Sequence, residues 1–127
     1  MALKILVVDD SAVMRKMIIR TINLCGLDVA DIYEAGNGRE GLEILKKKKV
    51  DLLFADVNMP EMDGLQMLSE VRKREITKNI PVLIVSTESN ENRIREIERH
   101  DAGFIHKPFT PELLREKMLG LVFPERA

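Results

Sequence analysis

Residues 5–10 read ILVVDD. Four apolar residues in succession, with no polar residue alternating between them, predict a strand buried on both faces. Asp9 and Asp10 follow with no spacer. Two carboxylates about 4 Å apart repel by about 4 kcal/mol at an effective dielectric of ~20. A buried strand that ends on this pair calls for something that offsets the repulsion.

The same grammar continues outward from this stretch. After the strand Ile5 to Val8, Met14, Met17, Ile18, Thr21 and Ile22 recur at helical spacing, and Gly26 stops the helix. Asp31 to Ala35 is a second, weaker strand. Arg39 to Lys48 is a helix with Leu42 and Leu45 on one side. Leu52 to Ala55 is another all-apolar run, and it too ends on an acid, Asp56. Pro60 and Asp63-Gly64 mark a loop before a helix carrying Leu65, Leu68 and Val71. Pro81 opens the strand Val82 to Val85, with Ser86 and Thr87 after it. Asn90 to His100 is a polar helix with Ile94 and Ile97 inward. Gly103 to His106 is the fifth strand. Thr110-Pro111-Glu112 is an N-cap followed by proline at the first helical position, and Leu114, Met118 and Leu121 line the last helix. Five strand–helix units in series predict a parallel sheet with helices on both faces, in one domain spanning 1–127.

The bulk composition narrows the function. Twenty basic and 21 acidic residues give a net charge of −1, so nothing global points to nucleic acid or an anionic membrane. The first apolar run meets Asp9 too early for a signal peptide, and no run approaches the ~20 apolar residues of a membrane span. Cys25 is the single cysteine and is expected to be a buried thiol in a cytoplasmic protein. Lys46 to Lys49 form the solvated, dipole-compatible end of a helix.

Sites in open α/β sheets lie beyond the carboxyl ends of the strands, where strand order reverses. With the order 2-1-3-4-5, the first and third strands are neighbours, and Asp9, Asp10 and Asp56 converge. Either Asp10 or Ser11 can cap the first helix, but capping explains one aspartate rather than three. A divalent cation explains all three, and magnesium prefers such oxygen ligands. Ser86 and Thr87 add hydroxyls at the fourth strand end, and Lys107 adds a cation beyond the fifth.

The segments VVDD, FADVNMP, VST and HKPF, in this order and spacing, resemble the signature of two-component receiver domains, the response-regulator family. The resemblance covers Leu3 to Leu121 and is strongest to stand-alone receivers of the chemotaxis CheY type. It implies a flavodoxin-like (βα)5 fold. It also implies that Asp56 accepts a phosphoryl group from a kinase phosphohistidine. Asp9, Asp10, Asp56 and the main-chain carbonyl of Asn58 would hold Mg2+. Ser86 would bind the phosphoryl group and Lys107 would pair with Asp56. Ser86 and the aromatic Phe104 would form the switch, while Asn58 and Glu88 would tune dephosphorylation. Two positions depart from the family pattern: Thr87 stands where a smaller residue is usual, and Phe104 lacks the hydroxyl of the commoner tyrosine. His100 and His106 are read as ordinary surface or strand residues.

The implied partners are a histidine kinase or phosphotransfer domain, met by the first helix and the loops around Asp56. A downstream target would be met by the face of fourth helix, fifth strand and last helix, where Arg93, Arg95, Glu96 and Arg99 lie. Only six residues follow Leu121, so the chain either acts alone by binding partners or is cut from something longer; a monomer without direct nucleic-acid contact is expected. The family alternatives are a phosphorelay receiver or one cut from a transcriptional regulator. A Mg-dependent aspartyl phosphatase of the haloacid-dehalogenase type needs its nucleophile on the first strand with another Asp two residues on. Asp9-Asp10-Ser11 lacks that pattern. A flavodoxin proper needs a hydroxyl- and glycine-rich phosphate loop where this chain is acidic.

Overall fold

The computed structural model describes residues 2–59, 62–87 and 89–123. Its elements run β1 (Leu3–Val8), α1 (Ala12–Leu24), β2 (Val29–Ala35), α2 (Gly38–Lys47), β3 (Leu52–Ala55), α3 (Gly64–Lys73), β4 (Val82–Ser86), α4 (Glu91–Arg99), β5 (Gly103–His106) and α5 (Pro111–Val122). All strand pairs are parallel, in the order β2-β1-β3-β4-β5. This is the expected flavodoxin-like (βα)5 sheet.

The all-apolar strands have a direct physical origin. Successive side chains of a strand point to opposite faces, and helices cover both faces here. Ile5, Val7, Leu52, Phe54, Leu83 and Val85 pack on one side with Ile18 and Ile22 of α1 and Leu114 and Met118 of α5. Leu6, Val8, Leu53, Ala55, Val82 and Ile84 pack on the other with Leu42, Leu45, Met67, Leu68, Val71 and Ile97 of α2, α3 and α4. Every position of β3 is therefore buried.

Several local expectations are corrected. β1 begins at Leu3 rather than Ile5, because Leu3 N–H bonds to Asp28 O and Lys4 N–H to Asp51 Oδ2. β2 begins at Val29 rather than Asp31. It is an edge strand paired only to β1, so its pattern is mixed. Ser86 is the last residue of β4 rather than the first after it, paired with His106 of β5. Of the residues that recur at helical spacing in α1, only Ile18 and Ile22 turn fully into the core, and Met17 is 56% exposed. Ile94 is half-buried, while Ile97 is buried as expected. Pro60 lies outside the described residues.

Two glycines hold the chain path. Gly26 ends α1 at φ +75°, a region open to glycine at little steric cost. Gly64 starts α3 against the end of β3. Its N–H bonds to Val57 O at 2.8 Å, and a Cβ there would overlap the Asp56 carbonyl oxygen. Arg72 is a contact that periodicity does not reveal. Its guanidinium donates to the carbonyls of Lys78, Ile80, His100 and Asp101, tying α3 to the loop before β4 and the turn before β5. Burial pushes its pKa down from the usual value, and the nearby Asp101 charge opposes that.

Candidate functional site at the carboxyl edge of the sheet

The register of the central strands brings the acids together. Val8 lies opposite both Ala55 and Ala35, so Asp9 and Asp56 leave adjacent strands at the same level. Each is pinned by its backbone: Asp9 N–H bonds to Ala35 O at 3.1 Å and Asp56 N–H to Val8 O at 3.2 Å. One carboxylate oxygen from each of Asp9, Asp10 and Asp56 lies within 4.8 Å of the others.

The three acids sit in unlike surroundings. Asp9 is 1% exposed. Its Oδ1 accepts the Ser11 N–H at 2.9 Å. Among the described residues its buried Oδ2 has no hydrogen-bond donor, and the Lys107 ammonium lies 3.5 Å from it. Burial pushes the Asp9 carboxyl above the usual range; the Ser11 N–H and Lys107 pull it back, and the Asp56 and Asp10 charges push it further up. Asp10 is exposed. Asp56 holds its Oδ1 against the N–H groups of Val57 at 2.7 Å and Asn58 at 3.4 Å, and its Oδ2 accepts from Lys107 Nζ at 3.3 Å. Ser11 caps α1, its Oγ accepting the Met14 N–H, which leaves Asp10 free of that duty.

The remaining expected residues fall at different distances from this centre. Lys107 reaches both Asp9 and Asp56, from a backbone whose N–H bonds to Ser86 O at 2.9 Å. The peptide Lys107-Pro108 is cis. Ser86 is fully buried at the end of β4, and Thr87 beside it is exposed. Asn58 is exposed two residues beyond Asp56. Phe104 is half-buried, edge-on to the exposed His106 ring at 6.3 Å between centroids. Arg95, Glu96 and Arg99 are exposed along α4, and Arg93 is half-buried. Glu88 lies outside the described residues. Cys25 is buried, its thiol directed at the carbonyls of Thr21 and Pro111, and burial pushes its pKa up.

Sequence reasoning missed Arg15. Its guanidinium donates to the Asp9 main-chain carbonyl at 2.6 Å and to Glu34 Oε1 at 3.0 Å. One signal was present: a cation near a helix N-terminus runs against the dipole, so its presence there asks for a specific partner.

Chemically, the edge offers a carboxylate with one oxygen held by main-chain donors, a cation against the other, and two more carboxylates beside it. A buried carboxylate oxygen with no donor, facing a second acid, is what an oxygen-seeking divalent cation satisfies. The donor set fits Mg2+.

Known proteins resemble this chain over nearly its whole length. The family described as response regulator receiver domain matches residues 5–119. A Campylobacter jejuni chemotaxis protein CheY homologue is 39% identical over 118 residues, covering 91% of this chain and 89% of the relative. Helicobacter pylori chemotaxis protein CheY1 is 38% identical, covering 91% and 94%. The solved structure of Vibrio cholerae chemotaxis protein CheY4 superposes with a TM-score of 0.84 at 33% identity, covering 95% and 99%.

Proposed function

We propose a function from one premise: the chain belongs to the response regulator receiver domain family. Asp56 accepts a phosphoryl group from the phosphohistidine of a histidine kinase or phosphotransfer domain, and residues 1–127 act as one receiver unit. The observation that carries this is the Asp56 carboxylate at the end of β3. Its Oδ1 is held by the Val57 N–H, its Oδ2 lies 3.3 Å from Lys107 Nζ, and Asp9 and Asp10 stand beside it.

In the transfer, an Asp56 oxygen forms a bond to phosphorus as the phosphorus–nitrogen bond breaks. The imidazole leaves with that electron pair and takes a proton from solvent. Such reactions depend on positioning and charge neutralisation more than on covalent machinery. The main-chain donors orient the nucleophile, and Lys107 supplies positive charge where phosphoryl oxygens arrive. Asp9, Asp10, Asp56 and the Asn58 carbonyl would hold Mg2+, which would supply further neutralisation of the transferring group. The Ser86 hydroxyl then holds the phosphoryl group, and Phe104 reports the change toward the face of α4, β5 and α5. The protein turns over only its own acyl phosphate.

The phosphodonor approaches along α1. A groove of about 320 Å3 lined by Met14, Met17, Ile18, Pro108 and Phe109 opens next to Lys107, and Met17 and Val13 beside it are among the most exposed large apolar residues described. Relatives named as chemotaxis proteins support a chemotaxis-like pathway, in which the α4, β5 and α5 face binds the downstream target. Acetyl phosphate with Mg2+ is expected to add one phosphoryl group to the protein, seen as a single mass increment, and none to Asp56→Asn. Full labelling of Asp56→Asn would remove Asp56 from the role.

A further inference from the structure

Two of the three acids at this edge, Asp9 and Asp56, are held by hydrogen bonds, and one is not. Asp9 is fixed at its N–H by Ala35 O and at Oδ1 by the Ser11 N–H. The Asp10 side chain makes no hydrogen bond or ion pair among the described residues and is exposed. Its carboxylate is nevertheless aimed into the cluster with Asp9 and Asp56. The backbone must therefore aim it. The Asp9 carbonyl and the Asp10 N–H belong to one rigid peptide plane, and that carbonyl is gripped at 2.6 Å by Arg15 Nη1.

We propose that Arg15 is a positioning residue for divalent-cation binding: it locks the Asp9–Asp10 peptide plane so that Asp10 points at the metal. This rests on the metal set given under the proposed function. The guanidinium suits the task because it is a planar fork with several donors. Nε is anchored on Glu34 of β2 at 3.0 Å while Nη1 reaches the Asp9 carbonyl. The Arg15 side chain is 19% exposed, the Glu34 side chain 44%, so the pair itself adds little stability. Its value lies in direction. Ordering Asp10 in advance removes an entropy cost that metal binding otherwise meets.

Charge alone predicts the opposite sign. Arg15 is a cation close to a site that binds cations, so deleting it makes the site more negative and favours metal. Positioning predicts weaker binding despite that gain. The sign of the change therefore separates the two roles.

The test is calorimetric titration of Mg2+ into the metal-free, unphosphorylated full chain, with wild type, Arg15→Met, Arg15→Lys and Asp10→Ala, and circular dichroism to check folding. Arg15→Met is expected to raise the Mg2+ Kd about tenfold, the low end for outer-shell partners of metal ligands. Arg15→Lys keeps the charge, loses the fork, and is expected to fall between. A Kd in Arg15→Met equal to or below wild type overturns the proposal. Should Arg15→Met fail to fold, Arg15→Lys decides it: weaker binding supports positioning and unchanged binding overturns it. Mg2+ binding that is lost in Asp10→Ala yet unchanged in folded Arg15 variants refutes Arg15 alone. Absence of binding to wild type refutes the metal set and this role together.

Discussion

Replacing Gly64 by alanine tests whether the end of β3 and the start of α3 are wedged together, because the change adds one methyl group 8 residues from Asp56. That methyl would sit 2.9 Å from both the Asp56 carbonyl carbon and Val57 Cα, and closer still to the Asp56 carbonyl oxygen. Carbon pairs settle at about 3.5–4.0 Å, so the backbones must separate by at least about 0.6 Å. Both partners are main chain, and no side-chain rotamer relieves the overlap. The Gly64 N–H bond to Val57 O at 2.8 Å ties the two segments at the same point, so separation strains that bond as well. Alanine favours a helix over glycine by about 1 kcal/mol, which offsets part of the cost. Overpacking of this kind costs about 1–3 kcal/mol, so a net loss of about 0–2 kcal/mol is expected. The larger effect falls on chemistry. Asp56 is the residue displaced, and a misplacement near 1 Å costs a reaction about 100-fold. Gly64→Ala should therefore phosphorylate from acetyl phosphate about 30- to 100-fold more slowly while remaining folded by circular dichroism. A folded variant with the wild-type rate would refute the wedge and its link to Asp56.

Two further outcomes follow from the site. Asp9 sits above the ordinary carboxyl range because it is buried, so the folded protein holds that proton more tightly than the unfolded chain does. The stability it contributes is present at acid pH and lost as pH rises through the folded value. Metal-free Asp9→Asn should thus be more stable than wild type at pH 7.5 by urea unfolding in EDTA, with the difference closing toward pH 4; no closing of that gap would contradict the assignment. Asn58 is exposed beside Asp56, and its amide is expected to leave the path of attacking water open. Phosphate release from the wild-type phosphoprotein should finish within minutes, and Asn58→Phe should slow it about tenfold, or ~1.4 kcal/mol on the barrier. A wild-type half-life of many hours would defeat the fast-reset expectation.

Local sequence determined a good deal of this molecule. Unbroken apolar runs such as Leu52 to Ala55 declared strands with two covered faces, since only helices on both sides bury every position. Acids placed directly after such runs marked the edge where the site forms. Thr110 and the Ser11 alternative were legible as caps because capping is a property of neighbouring residues. The exposure of Met17 and the true start of β2 were not legible. Which stripe of an amphipathic helix is fully covered, and where an edge strand stops pairing, depend on the partner surface.

The tertiary structure alone decided how distant residues meet. Lys107 and Asp56 lie 51 positions apart and touch because β5 and β3 flank β4 and run parallel toward the same edge of the sheet. Arg15 reaches the Asp9 carbonyl because α1 turns back over β1 and Glu34 waits on β2. Arg72 finds four carbonyls on two separate turns, and Gly64 is glycine because β3 ends against its backbone. Lys107 alone among these left a motif, HKPF; the contacts of Arg15, Arg72 and Gly64 left neither motif nor period, because periodicity records which side of an element is covered. What a side chain touches at the element's end is set by strand register and by the path of the crossovers, which only the folded chain fixes.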